Sequence, residues 1–408
     1  MKTRFVLFAC FALITGVGIG LTSCKKDDAP TPEIVKDEVA YYIVGEVISD
    51  EKPLDGVTVS VDGQDKTTGT DGKFELKVTE KGDFKVSFAK TGYVTVTAET
   101  SIASNAPNKT STAIRQTLTK KTDPVNVHPA KDILIEHDHT GVTLFAPAGS
   151  VKEAVDVTMT SFIPGMKKIK SGLTSLSLVT LNLEPDGFVF ENPVEVTLIN
   201  PMRETVRFGN LKHAIERDAA VEERDAVTYE DETHTHKITL DGFSNHSFVI
   251  GANVNAPTIS TELLDAKVID NLGQMSAKSE TLSMTQKYGW TLDENLGATL
   301  KSNYPVLTDA SVNLLVSNFT TAVSSLMGST PGTGELALSI PFYVSGDTKL
   351  TVEFVARLET TTFSFPLIFV DGNLEWVDVV AKRYIGTDVE TTYQYGSSHT
   401  EHSGGSGQ

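Results

Sequence analysis

The sequence predicts a mainly β protein: two successive antiparallel β-sandwich domains, followed by an α+β domain with one helix on an antiparallel sheet. Three observations carry this expectation. Apolar and polar residues alternate through most of the chain, the period of a strand with one dry face. Short turns built on Asp-Gly or Gly pairs recur between the alternating runs, at Asp55-Gly56, Asp62-Gly63, Asp71-Gly72 and Lys81-Gly82, and such pairs adopt positive φ with little strain. Helical periodicity is confined to one stretch, around residues 308–328. With 408 residues, 39% of them hydrophobic, the chain can fill two or three cores of ordinary domain size.

Residues 1–23 read as a signal peptide that is removed. Lys2 and Arg4 precede an apolar run from Phe5 to Gly20, which is short of the about 20 apolar residues a membrane span needs, and small residues follow. Leu21, Thr22 and Ser23 before Cys24 then resemble the lipobox of bacterial lipoproteins. That resemblance implies cleavage before Cys24 and acylation of its sulfur, with palmitate among the chains. Lys25, Lys26, Asp27 and Asp28 resemble the lysine-plus-acidic-pair signal that exports certain Gram-negative lipoproteins to the outer face of the outer membrane. Both resemblances imply a lipid-anchored outer-membrane protein exposed at the cell surface. Residues 24–39 combine the lipidated cysteine with charge and prolines, and read as a tether.

Cysteine usage and charge narrow the chemistry. The chain has two cysteines, Cys10 and Cys24. With the first lost in the signal and the second on lipid, a disulfide, a zinc–thiolate site or a cysteine nucleophile is ruled out. The formal charge of −18 becomes still more negative when Lys2 and Arg4 leave. Such a chain repels phosphates and anionic lipid, so nucleic acid is not an expected partner, and lipid must hold the protein at its membrane.

Residues 40–120 contain short strands such as "YYIVGEVI", "GVTVSVDG" and "KFELKV", by pattern a small β-sandwich. The run "GEVISDEKPLDGVTVSVDGQDKTTGTDGKFELKV", followed by "KVSFAKTGY", resembles the carboxypeptidase regulatory-like, transthyretin-type domain, through the Asp71-Gly72-Phe74 turn and Gly92-Tyr93. The resemblance implies a spacer or interaction module without catalytic residues. Residues 128–252 alternate cleanly in "ILIEHDHTGVTLFAPAGSV", "VDVTMTSFIP" and "LNLEPDGFVFENPVEVTLINP". With Pro147-Ala148-Gly149, Pro185-Asp186-Gly187, Pro193 and Phe243-Ser244, this block resembles bacterial ZU5-like β-sandwiches, which again implies a structural or interaction domain. Within it, residues 201–235 are charged and read as irregular.

Residues 253–395 form the α+β domain. Val312, Leu315, Val316, Phe319, Ala322 and Leu326 recur at helical spacing, with Thr308 or Asp309 placed to cap the start and Gly328 the end. Alternating strands follow, from "GELALSIPFYV" to "VETTYQY", and residues 396–408 are a flexible polar tail.

Several constellations carry the residue types that chemistry needs. His137 with His139, and His234 with His236, would each share one strand face and could meet one zinc, but two ligands fall short of the four a closed site needs. His399 and His402 sit in the tail. The acid- and glycine-rich run from Val61 to Glu75 lacks EF-hand spacing, and hairpin turns use the same residues. G-x-S-x-G, Walker, H-E-x-x-H and dinucleotide motifs are missing from the sequence. The expectation is therefore a protein that is not an enzyme, with no catalytic residue, metal or cofactor. Aromatic stacking remains: both tryptophans, Trp290 and Trp376, fall in the third domain, and Tyr288-Gly289-Trp290 lies beside turn residues that would expose its rings. Tyr288, Trp290 and Trp376 are thus the candidate ligand-binding residues, for a polysaccharide or a surface protein. The reading is a cell-surface lipoprotein whose first two domains form a stalk and whose third is the binding end. An assembly subunit of a fimbrial or outer-membrane complex is the alternative, and a glycan-active enzyme trails both.

Overall fold

The computed structural model describes residues 38–137, 140–199, 206–217, 220–230, 232–270, 278–344 and 348–395. Cys24, the charged residues 25–28, His139, His399 and His402 lie outside them.

The first part is a sandwich of two sheets. Strands β1 (Tyr41–Ser49), β2 (Lys52–Pro53), β5 (Lys73–Val78) and β8 (Ser111–Thr117) form one layer; β3 (Thr58–Val61), β4 (Gln64–Thr67), β6 (Gly82–Ala89) and β7 (Val96–Ile102) form the other. β1 is central, antiparallel to β5 and parallel to β8. Its near-continuous apolar run follows from that position, because both faces are dry. Tyr41, Ile43 and Val47 join the sandwich core, whereas Tyr42 and Val44 join a second core shared with the third part. Asp62 and Gly63, both at positive φ, close the β3–β4 hairpin, the turn role open to such residues.

The middle part faces a five-stranded sheet against a larger one. The first holds β10 (Ile133–His137), β11 (Val142–Ala146), β14 (Val189–Ile199), β18 (Thr228–Glu230) and β19 (Thr235–Gly242). The second holds β9 (Val125–Val127), β12 (Val155–Phe162), β13 (Gly172–Glu184), β16 (Leu211–Arg217), β17 (Ala220–Ala226) and β20 (Asn245–Val254). The stretch expected to be irregular is thus largely strand, since β15 (Val206–Phe208) also lies in it. Long-range pairing supplies the order there: β16 is held by β20, and β15 by a strand of the third part.

The third part is built on β21 (Thr258–Asp270), β22 (Lys278–Leu292), β23 (Gly332–Val344), β24 (Thr348–Phe369) and β25 (Leu374–Tyr395). β24 and β25 pair along almost their whole length, an antiparallel hairpin of 22-residue strands reaching ~70 Å. Two helices, not one, pack on it: α1 (Leu296–Asn303) and α2 (Asp309–Met327). α2 starts where Thr308 accepts a hydrogen bond from the Ser311 N–H and ends on Gly328 at φ 73°. α1 escapes sequence reading because it is eight residues long, buries two leucines and has no side-chain cap.

Backbone pairing ties the parts together. β25 pairs with β8 at Gly386 and Thr387, and β24 with β20 at Ser364 and Phe363. Leu176 and Leu178 of β13 enter the same core as α2 and the hairpin. The sequence predicts a stalk of two parts with the third as its binding end; in the structure the hairpin of the third part runs alongside both earlier parts.

Candidate functional site

The place where all three parts meet is a cleft of about 440 Å³. Its base is the middle of the β24–β25 hairpin. Glu359 stands opposite Arg383 and Arg357 opposite Gly386, so Ile385 is an extra residue in β25, a β-bulge. Bulges bend a strand and re-aim neighbouring side chains. Being two apart on β24, Arg357 and Glu359 point to one side, and Arg383, opposite Glu359, joins them among the lining residues.

These charges are bound to one another. The Arg383 Nη2 lies 2.8 Å from Glu359 Oε1, with the two side chains 15% and 9% exposed. Arg357 Nε is 3.2 Å from Asp388 Oδ1, and its Nη2 donates to the Ser111 carbonyl of β8 at 2.8 Å. Burial pulls the Arg357 guanidinium below its ordinary pKa, against the Asp388 charge that favours its protonated form. Arg383 Nη1 reaches Met166 Sδ at 2.7 Å, while its Nε is buried with no hydrogen-bond partner among the described residues.

The walls come from the other two parts. Phe84 and Lys85 of β6, Glu99 and Thr100 of β7, and Thr112 of β8 contribute lining residues; Thr100 and Thr112 share a hydroxyl hydrogen bond of 2.7 Å. The segment from Met166 to Ile169 crosses between them. It can do so because Gly165 lies against β7: a Cβ there would sit 1.8 Å from the Thr97 carbonyl. The Glu99 N–H then donates to the Met166 carbonyl at 2.7 Å, and the Lys167 N–H to Leu326 of α2 at 3.2 Å. Gly328, which ends α2, is pinned on the same segment, since a Cβ there would approach Met166 N to 2.5 Å. Lys85, Lys167 and Lys168 line the cleft beside Asp83 and Glu99, with Lys168 3.0 Å from Asp83. The arrangement offers donors and an apolar wall. Glu359, the one acid on the hairpin side of the lining, is committed to Arg383.

The aromatic platform expected from the sequence is not assembled. Tyr288 and Trp290 lie inside β22, not beside a turn, and are buried at 3% and 1% exposure. The Trp290 Nε1–H donates to the Ser329 carbonyl at 3.0 Å. The Tyr288 ring lies over Gly334, where a Cβ would come within 2.3 Å of its oxygen, and its hydroxyl bonds Glu46 of β1. Burial first, then the Glu46 charge, holds this phenol protonated well past its usual range. Glu46 also faces Arg115 at 3.7 Å, and Arg115 donates to the Thr330 carbonyl at 2.7 Å. The Tyr288 ring is a joint between the first and third parts, and the Trp290 ring belongs to the core under the helices. Trp376 is exposed opposite Pro366, near exposed Leu374, far along the hairpin from them.

The described histidines of the expected pairs have other neighbours, and His139 lies outside the described residues. His234 sits in a turn at φ 53°, with its Nδ1 3.3 Å from the Tyr229 hydroxyl. His236 is buried against the Tyr229 ring, and burial, helped by the nearby Arg207 charge, lowers its pKa to about 4. His137 Nδ1 meets the Thr140 hydroxyl at 3.3 Å. A different pair, His213 and His246, is buried with ring nitrogens 3.1 Å apart, which only the pairing of β16 with β20 brings about. Among the described residues no three histidines, cysteines or acids gather as a metal cluster.

Sequence reading passed over Arg357, Glu359 and Arg383, yet one signal was present. In β24 most apolar residues fall on even positions from Leu350 to Leu358, and the large ones on odd positions from Phe363 to Phe369. That change of phase marks where the buried face of the strand changes.

No protein-family profile and no curated protein matches the chain. Among solved structures, a candidate membrane-associated protein of unknown function from Bacteroides fragilis is 10% identical, with 88% of this chain and 99% of that one covered at a TM-score of 0.33. A candidate pore-forming toxin from Bacteroides vulgatus is 8% identical, covering 88% and 94% at a TM-score of 0.30. The major pilin subunit of Bacillus cereus is 12% identical, covering 84% and 95% at a TM-score of 0.17. Likenesses this slight leave function to the chain's own residues.

Proposed function

We propose that the protein is a lipid-anchored cell-surface protein that binds a ligand without transforming it, and that its binding site is the three-part cleft. The observation that carries the binding role is the cleft's construction: residues of all three parts line it, and the Ser111 carbonyl and the Met166 sulfur hold Arg357 and Arg383 at its base, where Arg383 pairs with Glu359. A polar cluster with an apolar wall, in a cavity of several hundred Å³, is the usual form of a small-ligand site. The anchor rests on the Leu21-to-Cys24 lipobox, and the outward location on residues 25–28.

The alternative of an assembly subunit finds less support in the outer strands. β21, paired only with β24 among the described strands, is interrupted by a bulge at Leu264 and carries Lys267. β23, paired only with β22 among the described strands, carries Pro341. Bulges, lysines and prolines discourage the addition of a further strand.

Metabolic labelling with an alkynyl palmitate tests the anchor: the intact chain should take up label and Cys24→Ala should not. Protease treatment of intact cells tests the location. Cleavage of the protein without cell lysis is expected, and full protection would overturn the surface assignment.

A further inference from the structure

We infer that the cleft takes an organic anion: one carboxylate, received by Arg383 and Arg357, on a compact body whose apolar flank lies along Met166, Ile169 and Ile385. The inference deepens the binding role proposed above and rests on it.

Three features select this class. The first is an unanswered donor. Arg383 pairs Nη2 with Glu359 as an ion pair and donates Nη1 to the Met166 sulfur, a weak acceptor; its buried Nε–H, like that of Arg357, has no hydrogen-bond partner among the described residues. A buried donor left unsatisfied costs about 1–3 kcal/mol, which an incoming acceptor would recover. The second is local charge. Five cationic side chains line the cleft, Lys85, Lys167, Lys168, Arg357 and Arg383, against the acids Asp83, Glu99 and Glu359. In a chain of formal charge −18 this is a reversal of sign, and a concave site concentrates such a field. The third is shape. A carboxylate matches the planar fork of a guanidinium, whereas inorganic phosphate would leave one side dehydrated against Met166, Ile169 and Ile385. The acids already lining the cleft limit how much negative charge the site can take, so one carboxylate suits it better than a dianion.

The test follows the methyl resonance of Met166 in protein labelled with ¹³C-methyl methionine, because this side chain touches Arg383. Cyclohexanecarboxylate, the neutral isostere cyclohexanemethanol and inorganic phosphate are titrated separately. The carboxylate should shift the Met166 methyl saturably, and the alcohol and phosphate should leave it in place at the same concentrations. Arg383→Gln alone would strand Glu359, so the double variant Arg383→Gln with Glu359→Gln is used; it keeps a neutral hydrogen-bonding pair. Its affinity for the carboxylate should fall at least tenfold. Exposed Lys85→Gln should weaken binding by a smaller factor that shrinks as salt rises. If the alcohol or phosphate moves Met166 as well as the carboxylate does, the anion class is wrong and the cleft remains a binding site. If none of the three probes moves it, both the class and the binding role of the cleft fall.

Discussion

The two ends of the β24–β25 hairpin are built from the same pair of strands and bury opposite faces. At one end, Leu350, Val352, Phe354 and Ala356 turn toward β22 and β23, with the first three in the core that also holds Tyr42 and Val44 of β1. At the other, Phe363, Phe365, Leu367 and Phe369 turn toward α1 and α2. A strand that exchanges its dry face needs a short section where neither core claims it. Here that section holds the Ile385 bulge, Arg357, Glu359 and Arg383, and it opens into the cleft. Charged residues are tolerated there because apolar packing is being handed over, and the opening between two cores is what a binding site requires.

The strongest way to break this comparison is to remove one core at a time. Phe365→Ala at the helix-covered end and Phe354→Ala at the other should each cost about 3–5 kcal/mol, as deletion of a fully buried ring does. Hydrogen exchange should localise each loss. Phe365→Ala is expected to release protection in α2 and β20, and Phe354→Ala in β22, β23 and β1. Loss of protection in both sets from either variant would mean a single core, contrary to the description.

A smaller effect probes the hand-over itself. Gly386 has φ 145°, and a Cβ on it would sit 2.1 Å from the Ser111 carbonyl, so Gly386→Ala must push β25 away from β8. Gly372, in the turn at the hairpin's far tip, has φ 82° and open space around it. Gly386→Ala should destabilise by about 3 kcal/mol or more, and Gly372→Ala by about 1–2 kcal/mol from its left-handed backbone alone. Equal midpoints in urea for the two variants would show that the β8 junction is not tight.

How far the letters foretold this arrangement depends on how local each cause is. α2 was legible because its stripe, its Thr308 cap and its Gly328 stop all lie within one short segment. The strands of the first part were legible from alternation and turn glycines, whereas the second dry face of β1 comes from its packing against the third part. The exposure of Tyr288 and Trp290 was misjudged because the partners that bury them, Glu46 and Ser329, lie far away in the chain. The cleft was missed for the same reason. Its arginines become neighbours only through β24–β25 pairing, and its walls come from β6, β7 and residues 166–169.

The middle part gives a control outside the hairpin, with an effect smaller again. His236 is buried, and its pKa in the folded protein, about 4, lies below the ordinary 6.5. The unfolded chain therefore binds a proton that the folded one refuses as pH falls through 6.5. The stabilisation is complete above that pH and is lost progressively down to about 4, by at most about 3 kcal/mol. Urea midpoints should fall over this window, and His236→Phe should flatten the dependence. If the fall is unchanged in His236→Phe, another group carries it. Exchange protection in β14 and β19 should decline with acid before that of the hairpin ends does.

The smallest effect tests the faces directly, because the chain contains two tryptophans and they sit on opposite sides of the distinction. Trp290 is in the helix-covered core with its N–H on Ser329, whereas Trp376 is 44% exposed on the uncovered face. Trp376→Phe leaves only the buried indole, whose emission should be blue-shifted and resist acrylamide. Trp290→Phe leaves only the exposed one, which should emit to the red and be quenched readily. Trp376→Phe should change stability by no more than about 0.5 kcal/mol, as surface substitutions do, and Trp290→Phe should cost more, through a cavity and an unanswered carbonyl. If both single-tryptophan proteins quench alike, β22 does not seat Trp290 under the helices. The exchange of faces along the hairpin would then lose its support at the end where it is most closely packed.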